Sequence, residues 1–242
     1  MKKILNYRKG HYIVDTGING FYAGVAGREI NSVDYNKPGN EIRSDEKSIL
    51  RSITGIENRR IVMLDQVHGD MVIHIVNEPS ADLPSAGKAD ALITAIKGVM
   101  LVIRSADCVP VIIFDTEKEV LGAAHSGWKG SMLSISGRCV REMVNIYGSD
   151  PGKIRAFILP SIGPDSYEVN EDVASHFPDS RMDKNGKIYV DLWNSVRGSL
   201  KKAGVHEENI FNAGICNRIN HQDFFSHRYG DIGRNLNYTF MK

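Results

Sequence analysis

Val99-Met-Leu-Val-Ile-Arg-Ser-Ala-Asp-Cys-Val-Pro-Val-Ile-Ile-Phe114, resumed after a polar turn by Val120-Leu-Gly-Ala-Ala-His-Ser126, is the stretch that decides the architecture. Val99 to Ile103, Val109 to Phe114 and Val120 to Ala124 are short, β-branched apolar runs bounded by Gly, Pro or Asp. Runs of this kind predict strands covered on both faces. Upstream, Ile61 to Leu64, Met71 to Val76 and Asp90 to Thr94 read the same way. Downstream the period changes: Met132, Ile135, Cys139, Met143 and Ile146 form a helical stripe within Ser131 to Tyr147, ended by Gly148 and Pro151. Ile154 to Leu159 returns to strand, Val169 to Phe177 and Leu192 to Ala203 read as helices, and Asn235 to Phe240 as a last strand. Near the start, Lys47 to Thr54 reads as a short helix before Gly55, and Asn36-Lys-Pro-Gly-Asn40 as a loop. Strands in a block with later helices outside them predict an α+β layered fold, mixed sheets covered by helices, as one domain over residues 1–242.

The composition is ordinary for such a fold. Of 242 residues, 42% are apolar and 24% charged, which excludes collagen-like and low-complexity chains. A net charge of +1 leaves no broad field for nucleic acid or an anionic membrane, so a small-molecule partner with a locally charged site is expected. No apolar run reaches the length of a membrane helix, and Arg8, Lys9 and His11 interrupt the start too early for a signal peptide, so the expected location is cytoplasmic. Three widely spaced cysteines with no Cys-x-x-Cys argue against a disulfide framework. Monomer and homodimer are both open.

Three segments place chemistry at strand ends: Gln66-Val-His68-Gly69, Ser105-Ala-Asp107-Cys108 and His125-Ser-Gly127-Trp-Lys-Gly130. Two imidazoles and a thiol suit Zn²⁺ and leave a fourth position open, as catalytic sites do; copper is the other ion such donors hold. Asp107, beside the thiol, is a candidate acceptor for an imidazole N–H or for a proton. Each segment alone has a plainer reading. His68 is a loop histidine, Cys108 a buried thiol and Ser126 a helix cap. His74 reads as a core or edge-strand histidine, Cys139 as packing, and His11, His176, His206 and His221 as solvated. Lys129, Arg228 and Arg234 are candidate anion-binding groups, with surface ion pairing as the plainer reading. Scattered glycines between Gly17 and Gly27 make no G-x-G-x-x-G, and no phosphate-binding P-loop, H-E-x-x-H or G-x-S-x-G occurs.

In order along the chain, Gln66-Val-His68-Gly69, Ala89-Asp-Ala-Leu-Ile-Thr94, Ala106-Asp-Cys-Val-Pro110, Gly122-Ala-Ala-His-Ser-Gly-Trp-Lys-Gly130, Ile162-Gly-Pro164 with Tyr167-Glu-Val169, and Phe225-Ser-His-Arg228 with Gly233-Arg234 resemble the YfiH/laccase-domain family. That group is labelled polyphenol oxidase and, later, purine nucleoside phosphorylase. The resemblance runs from about Glu57 to the C-terminus. It implies a layered α/β fold shared with bacterial toxin deamidases, a zinc on His68, Cys108 and His125, and action on purine nucleosides. The implied reactions are phosphorolysis of adenosine, inosine, guanosine or methylthioadenosine, and deamination of adenosine. The chain departs from the family pattern near the start, where Gly20-Phe21 is followed by Tyr-Ala-Gly-Val-Ala with no arginine at the expected place, and at Leu159-Pro-Ser161.

The leading expectation is therefore a zinc-dependent purine nucleoside enzyme with nucleoside and phosphate as partners, Asp107 and Lys129 supplying proton and charge. A second reading makes Cys108 a nucleophile with His125 as its base and no metal, in an amidase that the resemblance would direct to a peptidoglycan precursor. A copper-dependent polyphenol oxidase is a third, although the 8 histidines include no His-x-His pair. A non-enzymatic binding module is the last.

Overall fold

The computed structural model describes residues 4–242. In chain order the elements are β1 (Leu5–Arg8), β2 (His11–Val14), β3 (Phe21–Ala26), α1 (Gly39–Thr54), β4 (Ile61–Val62), β5 (Val72–Ile75), β6 (Ala91–Thr94), β7 (Met100–Ser105), β8 (Val109–Asp115) and β9 (Val120–Ser126). Then come α2 (Trp128–Met132), α3 (Ile135–Tyr147), β10 (Ile154–Ile158), β11 (Glu168–Val169), α4 (Glu171–Ala174), β12 (Arg181–Lys184), β13 (Lys187–Val190), α5 (Leu192–Lys202), β14 (Ile210–Asn212) and β15 (Asn235–Met241). Two six-stranded mixed sheets result, ordered β1-β2-β3-β15-β7-β4 and β14-β10-β8-β9-β6-β5; β11, β13 and β12 form a small third sheet.

Side-chain alternation along the central strands explains why their sequences are apolar throughout. Leu101 and Ile103 of β7 meet Ile112 and Phe114 of β8 and Leu121 and Ala123 of β9 in the core between the sheets. Phe21 stacks on Phe114 across that layer, ring centroids 4.3 Å apart. Met100 and Val102 face the other way, onto Leu50 of α1. Val111, Ile113, Val120 and Ala124 face α3 and α5 through Cys139, Val140, Met143, Val196 and Leu200. The order of layers is α1, sheet, sheet, α3 with α5. Gly122 admits α3 to the second sheet: a Cβ there would lie 2.8 Å from the Cys139 sulfur. Cys139 is thus a packing residue.

Several local expectations change. The three N-terminal strands were not legible because β1 and β2 form the sheet margin, and β1 buries only its first residue. His11, expected in solvent, is buried on β2, and burial holds its imidazole pKa below the ordinary value. Pro38 caps α1, which starts at Gly39 inside the expected loop and ends at a left-handed Gly55. Ser134, at φ 58°, splits the expected helix of 131–147 into α2 and α3. The expected helix of 169–177 gives way to β11, which pairs with Ile188 and Tyr189, and to the single turn of α4. His74 lies on β5, an edge strand, 3.6 Å from Glu142. Among the described residues, no helix is long and apolar enough to cross a membrane.

Candidate metal centre

The chain leaves the first sheet at Ser105, the end of β7, and enters the second at Val109, the start of β8. Asp107 and Cys108 lie in that crossing. Ser126 pairs with Val109 and His125 with Pro110, so the end of β9 runs beside the thiol. His68 sits on the loop after β4, whose strand neighbours β7. His68, Cys108 and His125 converge with their donor atoms all within 4.8 Å of one another. The two imidazoles meet edge to face, centroids 4.9 Å apart. His125 is buried, Cys108 half-buried and His68 exposed, so the group closes from below and opens above.

Asp90, at the head of β6, holds this arrangement and was not singled out from sequence. Its fully buried carboxylate accepts the backbone N–H groups of Val67 (3.2 Å), His68 (3.0 Å) and Gly69 (2.7 Å). It also takes Nδ1 of His125 at 2.8 Å. With Nδ1 as the donor, the Nε2 lone pair of His125 is left for the thiol side or an ion. One carboxylate therefore positions the His68 loop and fixes the His125 tautomer. The sequence signals were an acid opening an otherwise apolar strand and its place in the family-like segment Ala89 to Thr94.

The electrostatics follow from these contacts. Burial opposes charge on Asp90, but His125 and the N–H groups of Gly69 and His68 hold its carboxyl below the usual range. Burial likewise opposes a Cys108 thiolate, but the fields and hydrogen bonds of His125 and His68 outweigh it and lower the thiol pKa. His125 would be lowered by burial; the Cys108 thiolate and Asp90 push it up. His68 (φ 60°) and Asp107 (φ 89°) both adopt left-handed backbone, which non-glycine residues keep only where their surroundings enforce it.

Asp107 does not receive either imidazole. Its oxygens accept the Ser226 hydroxyl (2.6 Å) and the Arg228 backbone N–H (2.7 Å), fastening the C-terminal loop over the site. The imidazole-accepting part expected of Asp107 belongs to Asp90. Gln66 both donates to the Arg104 carbonyl and accepts its N–H, each at 2.8 Å, taking the place of a strand beyond the end of β4. Ser126 is not a cap; Gly127 is the N-cap of α2 and Ser126 bonds Ser131.

Above the three donors lies a cavity of about 880 Å³. Arg104, Trp128, Tyr167, Arg228 and Arg234 line it. The Arg228 guanidinium sits 5.0 Å from the Tyr167 ring centre and donates to the Glu168 carbonyl. Lys129 does not line the cavity: it is exposed, its ammonium 5.5 Å from the Trp128 ring centre.

The donor set fits a metal ion. Two imidazole nitrogens and a sulfur that ionises readily match a borderline-soft cation. Gly127 leaves the space they need, since a Cβ there would stand 2.9 Å from the Cys108 sulfur and 3.0 Å from His68 Cδ2.

The chain belongs to the family described as multi-copper polyphenol oxidoreductase laccase, whose model matches residues 29–242. The match begins before Glu57, but the divergent stretch from Gly20 to Ala26 lies outside it. The chain is 36% identical over 198 residues to a purine nucleoside phosphorylase of Deinococcus radiodurans, spanning 79% of this chain and 74% of that protein. It is 30% identical over 213 residues to adenosine deaminase RL5 from an unknown prokaryotic organism, spanning 81% and 79%. The solved structure of YlmD from Geobacillus stearothermophilus superposes with a TM-score of 0.88 at 24% identity, covering 99% of both chains.

Proposed function

We propose that this chain is a purine nucleoside enzyme working at His68, Cys108 and His125, cleaving the N-glycosidic bond with phosphate and deaminating adenosine. The observation that carries this reading is the open three-donor group at the floor of an arginine-lined cavity of nucleoside-binding size. The names of the phosphorylase and deaminase relatives support it. His68, Cys108 and His125 would hold zinc, which when bound supplies Lewis acidity toward water or a phosphate oxygen. Asp90 keeps the lone pair of His125 turned to the centre. Trp128 and Tyr167 offer aromatic faces to the purine, and Arg228 and Arg234 offset oxyanion charge as the base departs. Asp107 serves by holding the loop that carries Arg228. Among the described residues one group of three metal donors occurs, which suits one ion better than a multi-copper cluster.

The test is incubation of the purified protein with adenosine and inosine, with and without phosphate, following adenine, hypoxanthine and ribose-1-phosphate. Metal content of wild type and Cys108→Ala is measured alongside. Turnover that disappears with the metal in Cys108→Ala is expected; no turnover in metal-replete buffer would overturn the proposal.

One observation favours a second reading. Asp90, His125 and Cys108 also stand in the order acid, imidazole, thiol of a nucleophilic triad. An amidase of that type would trap a covalent acyl adduct on Cys108 without metal. His68 and the space made by Gly127 have no role in it, so we rank it second.

A further inference from the structure

Arg104, at the penultimate position of β7, reaches the cavity from a wall that none of the three motif segments supplies. Its backbone is locked on one side by Gln66 and on the other by pairing with Leu236. Behind it lies Glu46 of α1, whose fully buried carboxylate is 3.5 Å from Arg104 Nη1. That long contact is the guanidinium's one hydrogen bond among the described residues, and its Nε is buried with no partner. Nε is enclosed by protein, but Nη2 makes no hydrogen bond among the described residues and is not enclosed, so it is left to donate to an anion in the cavity.

Glu46 is not isolated. Its other oxygen accepts the Tyr35 hydroxyl at 2.9 Å. Tyr35 in turn receives Asn31 Nδ2, which also donates to the Arg234 carbonyl at 2.6 Å. One buried network, built from residues 31–46, therefore holds the Arg104 side chain and the Arg234 backbone at the cavity wall, where Arg234 Nη1 donates to the carbonyls of Ile232 and Gly233. The acids nearby do not cancel them. Glu168 pairs with Lys187 at 2.8 Å, and the one charge of Asp107, turned to Ser226 and the Arg228 N–H, stands against three arginines in the cavity lining.

We infer that Arg104 and Arg234 form an oxyanion subsite for phosphate beside the His–Cys–His centre, with Glu46 as the residue that positions Arg104. The inference deepens the proposed function and rests on it in taking phosphate as co-substrate. It also assigns a role to the N-terminal segment. Through Glu46 of α1 it supplies the carboxylate that orients Arg104.

The probe is inorganic phosphate, titrated calorimetrically into the purified protein. Wild type should bind it, and Arg104→Met should weaken binding about tenfold to a hundredfold, the loss of one charge-assisted hydrogen bond. Because Arg104→Met strands the Glu46 carboxylate, the double variant Arg104→Met/Glu46→Gln is measured too and should lose as much while keeping its fold. Arg104→Lys should fall between wild type and Arg104→Met, and Lys97→Met, a surface residue paired with Glu119, should match wild type. Glu46→Gln should raise the KM for phosphate severalfold and leave the KM for nucleoside in place, a split that general loosening would not produce. Phosphate bound equally by wild type and both Arg104→Met proteins would overturn the subsite, as would no binding by wild type at millimolar phosphate. Weakened phosphate binding in a protein that turns over no nucleoside would leave the subsite standing and remove the functional reading; phosphate-independent deamination with unaltered phosphate binding would do the reverse.

Discussion

Asp90→Asn is the sharpest perturbation of the centre, because it changes charge and hydrogen-bond polarity without changing volume. In the native protein Oδ1 accepts His68 N–H and His125 Nδ1, while Oδ2 accepts Val67 and Gly69 N–H. An amide has one oxygen, so in either orientation its NH₂ faces two former donors. Hydrogen bonds to a charged group contribute about 1.5–3 kcal/mol each, which sets a loss of about 3 kcal/mol or more. For a chain of this length, each 1 kcal/mol moves Tm by about 2–4 °C, so a fall of about 6–12 °C is expected. The two orientations differ at the metal. With NH₂ at the Oδ1 position, His125 can keep the bond only by accepting at Nδ1, which puts its proton on Nε2 and removes the lone pair from the centre. Metal affinity should then drop about tenfold to a hundredfold, as when other ligand-orienting partners are removed. Competition with a chromophoric chelator measures the affinity, and thermal unfolding in excess chelator measures the fold without the ion. Wild-type metal affinity together with an unchanged Tm would refute the assignment of Asp90 as the residue that organises the site.

Three further outcomes follow from single features. Gly127→Ala should lower metal affinity, read by the same competition, and destabilise the chain by about 1–3 kcal/mol through overpacking against Cys108 and His68. In metal-free protein, the iodoacetamide reaction of Cys108 should reach half its maximal rate below the ordinary thiol value of about 8.5 and fall only in acid, because His125 and His68 lower the thiol pKa. Cys139, raised to about 12 by burial, should stay unlabelled in the folded chain. His11, whose pKa burial depresses, contributes stability that is present above about pH 6.5 and is lost as pH falls toward its folded value; unfolding midpoints between pH 7 and pH 5 should drop less in His11→Gln.

What the sequence disclosed divides along a physical line. Runs whose two faces are both buried, such as Val109 to Phe114, carry their fold class in composition, and their strands fell close to where they were expected. Margins carry less: β1 shows solvent three residues in four, and β11 exists because Ile188 and Tyr189 are there to pair with it. The three donors were legible because His, Cys and His sit at strand ends in distinctive neighbourhoods. Asp90 and Glu46 were not, because a buried carboxylate looks like any other acid until its partners, 21 to 35 residues away for Asp90 and 58 for Arg104 with Glu46, are folded against it. Lys129 misled for the opposite reason: its neighbours belong to the centre, but the first turn of α2 carries its side chain outside the cavity.

The two readings of the centre use the same Nε2 lone pair, and that makes them exclusive at any instant. Taking a proton from Cys108 yields an imidazolium that cannot be a ligand; binding an ion leaves no base for the thiol. The Asp90 carboxylate stabilises either state, since a charged acceptor at Nδ1 raises the basicity of the ring and its strength as a ligand alike. His68 separates them. Its backbone is held in a left-handed conformation by a carboxylate already engaged with His125, an arrangement that costs about 1–3 kcal/mol and gives a nucleophilic triad nothing, while it would complete a third position for the proposed ion. His68→Ala should therefore abolish metal retention and nucleoside turnover together while leaving Asp90, His125 and Cys108 in place. A His68→Ala protein that keeps full activity with no metal would shift the assignment to the thiol.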